Sequence, residues 1–505
     1  MTDIEDLVGE RLMIGLAGPT LGDADIQLFK DTRAAGLILY RRNFTSPTQL
    51  LELLGRLEGA LGRRLLVATD HEGGRIVMLG EGTTIFPDNL AVGTAGEETF
   101  AFKQGLFEAR ELRRLGVDLN LGPCIDVLTE RYSPNIGIRS YGKDPALVAR
   151  YGAARIRGMA KGGVSACPKH FPGKGHSPLD AHLRLPTIDS DWDEMQRIHL
   201  VPFFEAIAAG VECVMTSHPV YPKLDPSRVP ATFSRLIVED YLRTEVGFRG
   251  VIVSDDLEMG AVTEACPIGE AAVLAAAAGH DLLLVCHTEA AQRTAATALV
   301  DAYRTGRLPR HALELAAARV RALRERRVAR AEGGPPAPER DAGPLAMAIA
   351  TRAVTELTRG RAEFARALNG RVSVVFPRFS DLAARITIER EICDEAAWLR
   401  RTFAAAGAAV EPVVVGIEPA PAEIEAAAAR AAAADATVLF LYDAHLYATN
   451  RALLDAVQRS APRLAVVLMR DPYDAALLAP GVVGLTAYGW RRCQLEAVIA
   501  RLTFP

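Results

Sequence analysis

The sequence predicts an α/β protein: a parallel (β/α)8 TIM-like barrel over residues 1–328, a linker at 329–344 and a smaller α/β sandwich domain over 345–505. Three observations predict it. Along the first 290 residues one phrase keeps returning, in which a helical stretch ends in Gly, a short β-branched or aliphatic run follows, and polar residues close it. Residues 329–344 then read ARAEGGPPAPERDAGP, a composition that no packed element favours. Beyond it a second set of aliphatic runs alternates with Ala-rich stretches. The length of 505 residues agrees, since a single core stops growing near roughly 250–300 residues.

The barrel strands are expected, in order, at Arg11-LMIGLAG, Gly36-LILY, Leu65-LVATDHEGG, Gly116-VDLNL, Gly163-VSACP, Gly210-VECVMTS, Gly250-VIVSDD and Gly279-HDLLLVCH. A Gly at the end of a helix supplies the left-handed residue that terminates it. The run after it is apolar on both sides, as a parallel strand covered by helices must be. Eight such units suit a closed barrel better than an open sheet. In the second domain, strands are expected at Arg371-VSVVF, Pro412-VVVGI, Ala436-TVLFLYD, Leu464-AVVLMRD and Val482-VGLTAY, with a helix over 421–434. No GxGxxG fingerprint accompanies them, so a nucleotide role is not indicated.

Composition excludes several classes. Lys+Arg 58 against Asp+Glu 62, spread along the chain, offers no basic stripe for nucleic acid. Hydrophobic residues make up 49% of the chain, yet no apolar run reaches the roughly 20 residues that cross a bilayer. The start, MTDIED, is acidic and lacks the pattern of a secretory signal, which points to the cytoplasm. Seven cysteines, at 124, 167, 213, 266, 286, 393 and 493, never form a CxxC pair, so reduced thiols are expected rather than disulfides or a thiolate zinc site.

In a (β/α)8 barrel, chemistry gathers at the carboxyl ends of the strands, and the polar residues collect there. They include Asp70 to Arg75, Asn120, Asp126, Lys169, His170, Ser217, His218, Ser254, Asp255 and Asp256. The loop KHFPGKGHSPLDAH (169–182) carries three His among two Pro and two Gly. Within it, Asp180 and His182 stand two apart, so the carboxylate can fix one ring nitrogen and leave the other to act as a general acid. The same spacing also fits two solvated loop residues. A metal reading takes His170, His176 and His182 as ligands together with Asp70 or Asp255. Asp255 and Asp256 follow a strand, so they point to opposite sides and only one enters a pocket. A helix N-cap accounts for the other. Asp70 and Arg75 flank a Gly-Gly turn, and Arg139 lies in another Gly-rich loop; each can hold a polar substrate or form a salt bridge. Asp443 and His445 form a further Asp-x-His pair in the second domain.

Five ordered motifs, DHEGGR (70–75), LGPCIDV (121–127), NIGIRSYGKDP (135–145), KHFPGKGHSPLDAH (169–182) and GVIVSDDLEM (250–259), resemble glycoside hydrolase family 3, in its bacterial β-N-acetylglucosaminidase branch. The resemblance covers most of residues 5–330. It implies a retaining exo-glycosidase that works through a covalent glycosyl-enzyme and needs no cofactor. Asp255 would be the nucleophile, and His182 assisted by Asp180 the acid and base. Asp70, Arg139, Lys169 and His170 would hold the hydroxyls and acetamido group of the terminal sugar. The implied substrates are amino-sugar oligosaccharides or muropeptides from peptidoglycan, met by a monomer or homodimer. The chain departs from the family where GHGD is replaced by Gly173-Lys174-Gly175-His176, and where Met78 stands in place of an Arg. Those departures motivate an inactive or weakly active sugar-binding homologue as the alternative. A His in place of the Glu acid of other members also leaves phosphorolysis of the same glycosides open.

Overall fold

The computed structural model describes residues 3–130, 132–177, 185–331, 342–386 and 391–504. They fall into two compact units, one of residues 1–72, 78–84 and 98–341, the other of 73–77, 85–97 and 342–505.

The first unit is a closed barrel of eight parallel strands: β1 (Leu12–Gly15), β2 (Gly36–Leu39), β3 (Leu66–Thr69), β4 (Leu119–Asn120), β5 (Ser165–Ala166), β6 (Cys213–Met215), β7 (Val251–Val253) and β8 (Leu283–Val285). Six of them form one sheet in the order β8-β1-β2-β3-β4-β5, and β6 pairs with β7. The ring is closed by the bridges Phe171↔Thr216, between the continuation of β5 and that of β6, and Val253↔Leu282, between β7 and the start of β8. All eight strands lie within the eight runs read from the sequence. Gly116, Gly163, Gly210 and Gly279 adopt positive φ, as the helix-ending role requires. Gly36 and Gly250 do not, and are small for another reason: a Cβ at Gly36 would come within 2.9 Å of the Met13 side chain, and one at Gly250 within 2.4 Å of the Glu212 carbonyl oxygen.

Inside the ring, alternate residues such as Leu66 and Ala68, Cys213 and Met215, and Val251 and Val253 form one buried cluster. Val320 and Leu323 of the helix Arg310–Ala331 join it. The same helix sends Arg324 to Glu10 (3.0 Å) and Arg327 to the Gly163 carbonyl (3.0 Å), residues that precede β1 and β5. It therefore covers the amino-terminal mouth of the barrel. The carboxyl-terminal mouth carries the polar residues.

The second unit holds a six-stranded sheet of β9 (Thr355–Glu356), β10 (Val372–Pro377), β11 (Val410–Val415), β12 (Ala436–Leu441), β13 (Leu464–Leu468) and β14 (Val483–Thr486), in the order β9-β14-β13-β12-β10-β11. Pairing is parallel except for β9, which runs antiparallel at the edge. Helices Pro421–Ala433 and Ala448–Ser460 cover one face through Ala427, Ala431, Leu453 and Val457. On the other face Phe376 packs on Phe440 and Trp398, with centroids 4.9 and 5.9 Å apart. Five strands were legible as aliphatic runs; β9 is two residues long and carries no such signal. Asp443 pairs with Arg470 (2.6 Å) and His445 with Asp474 (2.9 Å), so both members of the Asp-x-His pair are held inside this unit. Among the described residues no helix is long and apolar enough to cross a membrane.

Candidate functional site

The carboxyl-terminal mouth is built from extensions of the strands. Beyond β3 the chain stays extended through Asp70, His71 and Glu72. Asn120 at the end of β4 clasps it, accepting from the His71 N–H (3.0 Å) and donating to the His71 carbonyl (2.7 Å). In an extended stretch, residues two apart share a side, so Asp70 and Glu72 project together. Both meet the Lys169 ammonium, Glu72 Oε1 at 2.8 Å and Asp70 in a short ion pair. Arg139, in the loop after β4, grips Glu72 in the bidentate way a guanidinium favours, with Nε to Oε2 and NH2 to Oε1 both at 2.8 Å.

Glu72, Arg139 and Lys169 are buried and Asp70 is partly so, and their charges tune one another. Burial raises the pKa of Glu72, but Arg139 and Lys169 outweigh it and hold the carboxyl well below the usual range. Burial likewise opposes the charge on Lys169, yet Asp70 and Glu72 lift its pKa above that of an ordinary lysine. Asp70 differs: burial, joined by the negative charges of Glu72 and Asp255, leaves its pKa raised despite Lys169.

Asp126, beyond β4, is a second hub. Its Oδ2 meets the His170 N–H (3.2 Å), His170 Nδ1 (2.7 Å) and Cys124 Sγ (3.3 Å), and its Oδ1 accepts the Lys174 N–H at 2.6 Å. One carboxylate thus fixes both the ring of His170 and the backbone of the loop after β5. The Lys169–His170 and Phe171–Pro172 peptide bonds in that stretch are cis. The candidate ligand atoms of Cys124, Asp126 and His170 lie within 4.8 Å of one another, the group of potential metal ligands among the described residues. Of the set that sequence spacing offers, His170, His176 and His182 with Asp70 or Asp255, this group contains His170; His182 lies outside the described residues. The group does not fit a resident cation well, because four donors already occupy the Asp126 oxygens.

Gly175 presses the same loop against the strand-β4 extension, where its carbonyl accepts the N–H groups of Thr129 (3.2 Å) and Glu130 (3.1 Å). A Cβ there would lie 1.8 Å from the Val127 carbonyl oxygen. The Gly175→Ala change is therefore expected to push the loop outward, costing about 1–3 kcal/mol of stability as overpacking does. Thermal unfolding and turnover measured on one preparation check it, the loss of turnover exceeding what the fraction unfolded explains.

At the end of β7 the two adjacent aspartates part. Asp256 turns to β8, accepting the Cys286 N–H (3.2 Å) and meeting His287 Nε2 at 3.0 Å. Arg42 completes that support from the loop after β2, with NH1 3.0 Å from His287 Nδ1 and NH2 on the Cys286 carbonyl at 2.7 Å. Asp255 goes the other way. Its Oδ1 accepts the Asp256 N–H at 2.9 Å, and its Oδ2 lies 4.0 Å from the Lys174 ammonium. Burial works against its charge, but Lys174, His218 and Lys169 outweigh it and hold the carboxyl below its usual pKa. It is thus an anion at neutral pH, with a side chain 16% exposed. His218 is itself held by Thr232 Oγ1 (2.7 Å) and the Asp256 carbonyl (3.0 Å).

The barrel mouth therefore brings together Asp70, Arg139, Lys169, His170 and Asp255, which sequence reading had singled out. Asp180 and His182 lie outside the described residues. Sequence reading gave no role to Glu72, Asp126 or Lys174. Glu72 had a usable signal, its spacing of two from Asp70 in an extended stretch, whereas the contacts of Asp126 and Lys174 join segments more than 40 residues apart.

Residues 8–323 match the family model described as the glycosyl hydrolase family 3 N terminal domain. A protein named beta-hexosaminidase from Xylella fastidiosa strain 9a5c is 38% identical over 284 residues, 55% of this chain and 84% of that protein. The protein of that name from Neisseria meningitidis serogroup C is 38% identical over 286 residues, 55% and 78% of the two chains. Among solved structures, a glycoside hydrolase family 3 beta-N-acetylglucosaminidase from Paenibacillus sp. str. FPU-7 superposes with a TM-score of 0.90 at 31% identity, covering 100% of this chain and 97% of that one.

Proposed function

The chain belongs to glycosyl hydrolase family 3, and from that premise we propose a retaining exo-β-N-acetylglucosaminidase whose glycosyl ester forms on Asp255. It is a glycoside hydrolase that removes N-acetylglucosamine; a relative is named beta-hexosaminidase and the superposing structure is a beta-N-acetylglucosaminidase. The observation that carries the reading is a part-buried carboxylate, Asp255, kept anionic at the carboxyl end of β7 by Lys174, His218 and Lys169.

In the first step Asp255 attacks the anomeric carbon, the bond to the leaving oxygen breaks, and His182 gives that oxygen its proton. Asp180 orients the ring and stabilises its charged form. In the second step neutral His182 takes a proton from water, the water oxygen bonds to the anomeric carbon, and the electron pair of the ester returns to Asp255. Asp70, Arg139, Lys169 and His170 hold the hydroxyls and acetamido group, so that binding energy from groups that do not react orients the ring. Glu72 and Asp126 keep those residues in place. The source of the sugar is peptidoglycan fragments, and the compartment the cytoplasm, which suits seven free cysteines. In this reading the second domain begins at 345, after a linker over 329–344.

A chromogenic β-N-acetylglucosaminide tests the activity. Release well above that of an Asp255→Ala variant, unchanged by a chelator, is the expected result. Release no faster than the variant leaves a sugar-binding homologue. A sugar 1-phosphate formed only when phosphate is added reassigns the enzyme as a phosphorylase.

A further inference from the structure

We propose that Lys174 is a positioning residue of this reaction, an ammonium beside the nucleophile that makes Asp255 a better leaving group when the glycosyl ester breaks down. The proposal rests on the retaining mechanism of the preceding subsection. Its starting point is one of the places where the chain departs from the pattern it resembles, the Lys in GKGH.

Lys174 is a buried cation, 3% exposed, and its ammonium lies 4.0 Å from Asp255 Oδ2. It does not swing freely into that place. The Lys174 N–H is fixed on Asp126 Oδ1 at 2.6 Å, and the next residue, Gly175, is held through its carbonyl by Thr129 and Glu130. Asp255 Oδ1 is occupied by the Asp256 N–H, so Oδ2, the oxygen on the Lys174 side, is the one left to bond carbon. Burial lowers the pKa of Lys174, and Asp255 is the leading group that supports its charge.

The electrostatic consequence has opposite signs in the two steps. In the free enzyme the buried ammonium and the carboxylate compensate each other. Once Asp255 is esterified its charge is gone, and Lys174 remains a buried cation beside a neutral ester, which is unfavourable. Breaking the ester restores the carboxylate and the pair. Lys174 therefore restrains ester formation and speeds ester hydrolysis, which keeps the intermediate from accumulating.

Asp255 is faced by charges from several elements. Lys174 and Lys169 come from β5 and its loop and His218 from beyond β6, all favouring the anion. Asp70, from beyond β3, opposes it, as the raised pKa of Asp70 shows from the other side. Removing Lys174 leaves Lys169 and His218, so the carboxyl remains an acid with a higher pKa rather than a neutral group.

The test compares wild type with Lys174→Met and Lys174→Arg, using an activated aryl N-acetylglucosaminide in rapid-mixing and steady-state assays. Lys174→Met is expected to show a burst of aryl release near one per site and a kcat reduced about tenfold. The acidic limb of its kcat/KM profile is expected to move upward by about one pH unit. Lys174→Arg, which keeps the charge, should return both towards wild type. A Lys174→Met enzyme with the burst and acidic limb of wild type overturns the proposal. So does a Lys174→Arg enzyme as impaired as Lys174→Met on both readouts, which would mark a purely structural side chain. If a slow fluorinated substrate labels no residue in the wild type, the retaining reading falls and this proposal with it. A label on Asp255 with no Lys174 effect removes this proposal alone.

Discussion

Asp255→Ala is expected to lower kcat/KM by a factor of about 10⁴ or more, the scale of loss when a covalent nucleophile is removed. The magnitude follows from what the side chain does. Its oxygen forms the bond that carries the reaction past the oxocarbenium-like state, and no neighbour can take its place. Asp256, next in the chain, is committed to the Cys286 N–H and His287 on the far side of the strand end. Asp70 is tied to Lys169 and holds its proton more readily, since burial raises its pKa. The cavity left by the missing carboxylate admits a small anion, so azide should restore turnover and yield the α-glycosyl azide, because attack comes from the face Asp255 had occupied. Product stereochemistry by NMR reads this directly. An alanine variant within about tenfold of wild type, or azide rescue giving the β-anomer, removes Asp255 from its role.

The sequence made the barrel legible because its signals are local and repeated. Each strand is a short aliphatic run, and most of the runs end in polar residues at the same end. Two glycines that looked like helix stops, Gly36 and Gly250, are small because Met13 and the Glu212 carbonyl crowd them, contacts across neighbouring strands that no local pattern carries. The substrate-facing candidates were legible for a similar reason, since they sit in unusual clusters of titratable residues. Their supports were not. Asp126 gains its meaning only when residues 44 and 48 positions away fold onto it, and Arg42 only when it meets His287 at a separation of 245. The choice between Asp255 and Asp256 was hidden too. Alternation says that they diverge, whereas the Cys286 N–H and His287 decide which of them is taken away.

Glu72→Gln is expected to destabilise the barrel by about 3–5 kcal/mol, although Glu72 touches none of the reacting atoms in the proposed mechanism. Its side chain is 2% exposed and neutralises two buried cations at once, Arg139 through two bonds of 2.8 Å and Lys169 through one of 2.8 Å. The amide keeps the shape but loses the charge, and one of its two ends must present N–H groups to a donor. Lys169 still has Asp70; Arg139 keeps the Asn135 carbonyl and Oδ1, which carry no compensating charge. The pH dependence gives the prediction its sign. The folded-state pKa of Glu72 is depressed, so its contribution is fully present above the ordinary glutamate pKa of about 4.3 and is lost as pH falls below it. Wild type should therefore lose stability between pH 5 and lower values more steeply than Glu72→Gln, and the two denaturation midpoints should converge towards acid. Equal slopes would mean that the carboxyl is not held as an anion by its two partners. On activity the same substitution should raise KM more than it lowers kcat, because Arg139 and Lys169 lose their aim at the sugar while the pair of Asp255 and Lys174 is left in place.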